Sequence, residues 1–306
     1  MYPSEPFPHF VDDYLAYLYE VLPSQASADG VHLHDDLLED LNRSSIEAHV
    51  RALAGFGRRL QQIDAARLNA AEQVEHPIIA ANIDARMYEL ETVRTWERNP
   101  QLYADTLGLS LAGQALFGYA PEQERARRVV SKLRQTARLV EAARENIREC
   151  PGIFVKIGLE TWRGVLTFIE IDLPRAFSSL DDLHILGDLA DTSAEATLAI
   201  GSYIEYHETD LAARAKASFR LGPEAFARKL KLEEGITLGA DRLLAIAMRE
   251  LHDVQEEFRA VAGRLNGTDP ISAWRRAKDE HPAPGELVSV AQEQLRELAT
   301  FLERQA

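Results

Sequence analysis

Several groups of residues in this chain have types that chemistry uses. His207-Glu208 resembles the opening of a zinc helix, where a second His four residues on shares the face and the Glu acts as general base. Position 211 is Leu, so that second ligand is missing. His32, His34, Asp35 and Asp36 put four potential ligands within five residues. Such a cluster suits weak divalent-ion binding, and it suits an ordinary polar turn better. His252 and Glu256 stand four apart on one helical face, as half of a carboxylate–imidazole site or, more simply, a surface pair. The doublets Glu233-Glu234 and Glu256-Glu257 diverge by about 100° on a helix and read as solvated.

The remaining candidates are blander still. Cys150 is the single cysteine, which excludes an internal disulfide. It precedes Pro151 with no His nearby in sequence, so it reads as a structural thiol. Trp96, Trp162 and Trp274 read as core or interface anchors. Arg125, Arg127, Arg128, Lys132, Arg134 and Arg138 spread around one helix and read as a solvated face. No HExxH, Cys-x-x-Cys, Gly-rich phosphate loop or Gly-x-Ser-x-Gly elbow occurs. No residue is therefore assigned as catalytic, cofactor-binding or metal-ligating, and no cofactor is expected.

The elements that carry these residues are helices. After a Pro-rich lead-in (Pro3, Pro6, Pro8), helical spacing begins near Phe10 and runs to Leu22. SQASADGVHLHDD reads as a polar turn. Ser44 and Glu47 form a candidate capping box for a helix through Leu60. Apolar periodicity then predicts helices over 70–97, 102–116 and 121–148. Residues 153–180 are ambiguous. TFIEIDL alternates like a strand, whereas Ile157, Thr161, Val165, Phe168 and Ile169 keep the helical period, and helix is preferred. One long helix, or two broken near Gly201, covers 188–219. Further helices follow over 223–234, stopped by Gly235, then 239–265, stopped by Asn266-Gly267. Short and long helices from Pro270 and Leu287 close the chain. The expected fold is all-α, a multi-helix array of long antiparallel amphipathic helices. It is read as a single domain over 1–306, with a lobe boundary considered near 151.

The bulk numbers set outer limits. The chain has 306 residues, 46% hydrophobic and 27% charged, with a formal net charge of -15. This composition is globular and large enough for a sizeable core. The acidic balance argues against a nucleic-acid partner, which needs a basic face, and predicts a bias toward cationic ligands. MYPSEPFPHF lacks the basic and apolar regions of a signal peptide, and no apolar run reaches membrane-span length. A cytoplasmic location with no membrane partner is the expectation.

Four segments in order carry a family resemblance: the run from Trp96 to Tyr103, FRLGPEAFARKL at 219–230, GADRLLAIAMREL at 239–251, and DEHPAPGELVSVAQEQLREL at 279–298. Together they resemble the N-terminal half of a bacterial family described only as a domain of unknown function. That family is regarded as related to the helical zinc peptidases, which include angiotensin-converting enzyme and thimet oligopeptidase. The resemblance implies a zinc-binding HExxH helix in a second half, and no position here matches its ligands or catalytic Glu. It therefore implies a non-catalytic helical scaffold, partnered by a missing catalytic half, another chain or a second copy of itself. The alternatives are a metallopeptidase-like hydrolase with a discontinuous site drawn from His207, Glu208, His252 and Glu256, or a helical module that binds a peptide or small ligand.

Overall fold

The computed structural model describes residues 6–266 and 269–305. Every named element is helical, and among the described residues the only β-type pairing is an isolated bridge between Pro151 and Ala217. The chain divides into two compact units, Met1–Thr237 and Leu238–Ala306, and Pro151 lies inside the first.

In the first unit, α1 (Phe7–Val21), α2 (Pro23–Ala28), α3 (Arg43–Gln61) and α4 (Ala70–Tyr88) come first. A π-turn over Glu89–Val93 and the short α5 (Thr95–Arg98) follow. Then come α6 (Gln101–Leu116), α7 (Glu122–Arg134), α8 (Thr136–Asn146) and α9 (Gly152–Thr167). A second π-turn, Phe168–Asp172, leads to the short α10 (Leu173–Ala176), and α11 (Leu183–Tyr206) runs into a third, His207–Leu211, and α12 (Ala212–Arg214). Helix α13 (Pro223–Glu234) is the last of this unit. The second unit holds α14 (Ala240–Asn266), α15 (Pro270–Asp279) and α16 (Leu287–Gln305).

Two cores organise the first unit. The larger gathers Tyr103, Leu107, Leu133, Ala143, Trp162, Ile200 and Tyr203 from α6 to α9 and α11. The smaller gathers Phe10, Tyr14, Leu53, Leu60 and Ile83 from α1, α3 and α4, with Tyr14 set edge-on to Phe56 at 5.2 Å. Burying one such side chain stabilises by about 1.5–3 kcal/mol, so both cores are substantial. The second unit differs. Its buried apolar residues are Ala262 and Ala273 alone among those described.

Several local expectations need correction. The polar turn after Leu22 contains a helix, α2, because Pro23 occupies a first-turn position where its missing N–H is no loss. The lead-in is helical from Phe7, with Pro8 in the first turn. Helix α3 is capped by Asn42, whose side chain accepts from the Ser45 N–H at 2.9 Å. Ser44 donates its hydroxyl to Asn42 at 2.6 Å and is not itself the cap. The predicted 70–97 helix breaks at Arg94, which is left-handed with φ 55°. The predicted 121–148 helix breaks at Gln135, whose side chain is drawn off to the 36–38 segment. Residues 152–176 are helical, and α11 passes through Gly201 without a break. Gly235 ends α13 at φ 67°, in the left-handed role that glycine fills at a helix terminus. Gly267 lies outside the described residues.

Candidate functional site

The segment between α2 and α3 has no regular helix, yet side chains hold it firmly to α7 and α8. Gln135 donates to Asp36 O at 2.8 Å and accepts from Leu38 N–H at 3.1 Å. Arg138 pairs with Asp40 at 2.9 Å, and Asn146 donates to Leu41 O at 2.6 Å. Between these points Glu39 accepts from both the N–H and the hydroxyl of Ser24. Backbone groups with no helix to satisfy them thus find partners from side chains.

Asp35 anchors this strap. It is 1% exposed and receives the Ser27 hydroxyl, the Tyr119 hydroxyl at 2.5 Å and Arg128 at 2.7 Å. His32 Nδ1 lies 3.0 Å away, and the His32 ring stacks on Tyr119 at 3.9 Å. Burial alone would raise the Asp35 carboxyl. Hydrogen bonds from Ser27, Tyr119 and Gln114, with His32 alongside, outweigh it and hold the carboxyl below its ordinary value. His32 and Asp35 are therefore brought together, but as parts of a structural network. Lys132 is fully buried with no hydrogen-bond partner at Nζ. Burial lowers its pKa, against the pull of Asp35, Glu39 and Asp36. The expected solvated basic face is thus partly internal: Lys132, Arg128 and Arg125 turn inward, and Arg125 binds the Gln114 and Ala120 carbonyls.

Between this strap, α1, α3 and the end of α4 lies a cavity of about 730 Å3. Its apolar lining includes Val21, Leu22, Leu38, Leu41, Ile46 and Leu90. Glu20, Leu37, Asp40, Ala48 and Arg138 are its exposed members. Tyr17 OH and His49 Nδ1 stand 2.7 Å apart on one wall. Burial and the neighbouring Arg86 push the His49 pKa down to about 4, so the imidazole is neutral near pH 7. Arg86 donates through Nε to Asn82 Oδ1 at 2.9 Å, and the same oxygen accepts from Tyr14. None of Tyr17, His49 and Arg86 stood out in the sequence. They lie on three helices, and no short-range spacing links them.

The other sequence candidates disperse. His207 is fully buried in the π-turn after α11, neither ring nitrogen has a protein partner, and its ring lies 5.6 Å from that of Tyr203. Burial lowers its pKa to about 4. Glu208 turns away to Arg163. His252 is exposed on α14, and Glu256 pairs with Arg259 at 2.6 Å. The two pairs thus belong to different units. Glu233 pairs with Lys229, at 2.5 Å. Among the described residues, no three His, Cys, Asp or Glu side chains gather as a metal-holding group. Cys150 is buried, and burial raises its thiol pKa to about 12. Trp96 and Trp162 are buried, whereas Trp274 on α15 is exposed.

No described helix is long and apolar enough to cross a membrane. No curated protein matches the chain. Among solved structures, a candidate lipoprotein of unknown function from Shewanella oneidensis is similar at 20% identity and a TM-score of 0.74. The similarity covers 98% of this chain and 57% of that one, so this chain spans little more than half of its neighbour's length. At that identity the likeness establishes the fold alone. A family model described as "bacterial protein of unknown function (DUF885)" matches residues 23–306, and the chain belongs to that family.

Proposed function

We propose that this chain is a helical scaffold that works as part of a larger assembly, with the second unit as its docking surface. One observation carries the reading. Leu244, Met248, Leu251, Val254 and Phe258 on α14 are all exposed, as are Leu295, Leu298 and Leu302 on α16. These residues recur at helical steps of three, four and seven, the pattern of a face that packs against something. An open apolar surface of this extent marks an interaction site. The further length of the Shewanella oneidensis neighbour supports a covering segment similar to the rest of that chain as the occupant.

The peptidase-like part of the proposal rests on the sequence resemblance. In that reading the scaffold walls a cleft whose catalytic groups come from the covering segment. The cytoplasmic location is also proposed, on the acidic balance and the single thiol. Pelleting of the native protein with membranes, resistant to salt, would overturn it.

The test is sedimentation velocity with a hydrophobic dye, on the chain and on the double variant Leu251→Glu/Phe258→Glu. The chain alone is expected to bind dye and self-associate, and the variant to do neither while keeping its helical circular dichroism. A compact monomer that binds no dye overturns the scaffold reading. Elemental analysis separates the peptidase variants: one tightly held zinc per chain would shift catalysis into this chain.

A further inference from the structure

The cavity of the first unit goes beyond that reading, since all its lining residues precede Thr237 and none belongs to the docking helices. Its volume of about 730 Å3 falls in the range of small-ligand sites, roughly 300–1,000 Å3. Such sites combine an apolar lining with a few placed polar groups, and the charged groups here identify what those few select.

Five charged side chains line the cavity. Asp40 and Arg138 neutralise each other at 2.9 Å. Glu89 is held by Lys229 at 3.1 Å and by the Thr95 hydroxyl. Glu20 is exposed, where water solvates it. Arg86 alone is partly buried with no carboxylate within ion-pair distance among the described residues; it donates instead to the neutral amide of Asn82. That bond uses Nε and fixes the guanidinium plane; the neutral Tyr14 hydroxyl is a further partner, and a guanidinium with five N–H donors keeps capacity for an anionic acceptor. The neighbouring imidazole of His49 is neutral near pH 7, so Arg86 supplies the unpaired positive charge on this wall.

We propose that this cavity binds a monocarboxylate with an apolar body, its carboxylate paired with Arg86 and its body laid along Leu22, Leu38, Leu41, Ile46 and Leu90. The selectivity runs against the net charge of the whole chain, because the local unpaired cation decides it. The same chemistry is offered by a free alkanoate and by the C-terminal carboxylate of an apolar peptide.

Isothermal titration of the full chain distinguishes these sources. The probes are decanoate, decylamine, and N-acetyl-Leu-Leu with a free or an amidated C-terminus, all below micelle-forming concentrations. At least one acid is expected to bind saturably, and its amine or amide counterpart about tenfold or more weakly. Arg86→Met is expected to remove that preference. If Arg86→Met loses its fold by circular dichroism, Ala48→Trp carries the test: it fills the mouth from an exposed helical position and is expected to weaken the acid about tenfold or more. Binding of decanoate alone assigns an alkanoate, and binding of the peptide acid alone assigns a peptide end. Saturable binding of neither acid, equal binding of acids and their counterparts, or unchanged binding in Ala48→Trp overturns the proposal. None of these outcomes bears on the dye and sedimentation result for the second unit.

Discussion

His207 is buried in a site that favours its neutral form. Burial sets its folded pKa at about 4 against an ordinary 6.5, so protonation favours unfolding. The stabilisation is whole above pH 6.5 and is lost as the pH falls through about 4. Its full size is about 3 kcal/mol, at roughly 1.4 kcal/mol per pKa unit. His49 acts in the same direction. Denaturant unfolding from neutral pH to about pH 4 should show stability falling steeply for the native chain and less steeply for His207→Leu. Equal slopes would remove His207 as a cause. Gly158 makes a second test in the same region. A Cβ there would meet Pro100 Cγ at 2.7 Å, Gln101 N at 3.2 Å and His207 Cε1 at 3.2 Å. Gly158→Ala should therefore destabilise by about 1–3 kcal/mol through crowding, against the usual gain of alanine in a helix. An unchanged or raised denaturation midpoint would show that the ring of Pro100 simply moves aside. At this scale the sequence was least informative. His32 and Asp35 were visible as a polar cluster, but Tyr119 and Arg128, which complete it, lie 84 and 93 residues from Asp35. Long-range partners leave no local period to read.

Elements were far more legible, because amphipathic periodicity is a local signal. The ends of elements depended on competition between neighbouring side chains. Asn42, Ser44 and Ser45 lie within one turn, and only the side chain of Asn42 accepts from a backbone N–H at the start of α3. Asn42→Ala should cost about 1 kcal/mol, and Ser44→Ala a few tenths at most; paired thermal melts decide between them, and the reverse order would restore Ser44 as the cap. The break at Gln135 was hidden because no helix-breaking residue marks it, and the partners of the Gln135 side chain at 36–38 are distant in sequence. The π-turns were equally hidden, since the second and third are entered and left through ordinary right-handed helical backbone, and only the first ends at a left-handed residue, Arg94. They matter for placement: one carries Glu89 and Leu90 into the cavity wall, and another carries His207 into the core.

At the scale of the whole molecule, the two units rest on different physical foundations. The first holds aromatic and aliphatic cores spread over many helices. The second keeps only Ala262 and Ala273 buried among its described apolar residues, although α14 is as long as any helix here. In proteins most of a helix's stability comes from tertiary packing of its apolar face and little from propensity. The amphipathic pattern of α14 and α16 was plain in the sequence; whether its apolar face is covered was not, because exposure is a property of the assembled molecule. Hydrogen exchange reads the difference directly. Amides of α6, α7, α9 and α11 should exchange only through large-scale unfolding, whereas those of α14 and α16 should exchange through local opening, several orders of magnitude faster. When a covering partner is supplied, protection should rise along α14 and α16 and stay unchanged in the first unit. Equal protection of both units in the isolated chain would mean that the apolar face already has its cover, and the scaffold would then need no partner to be complete.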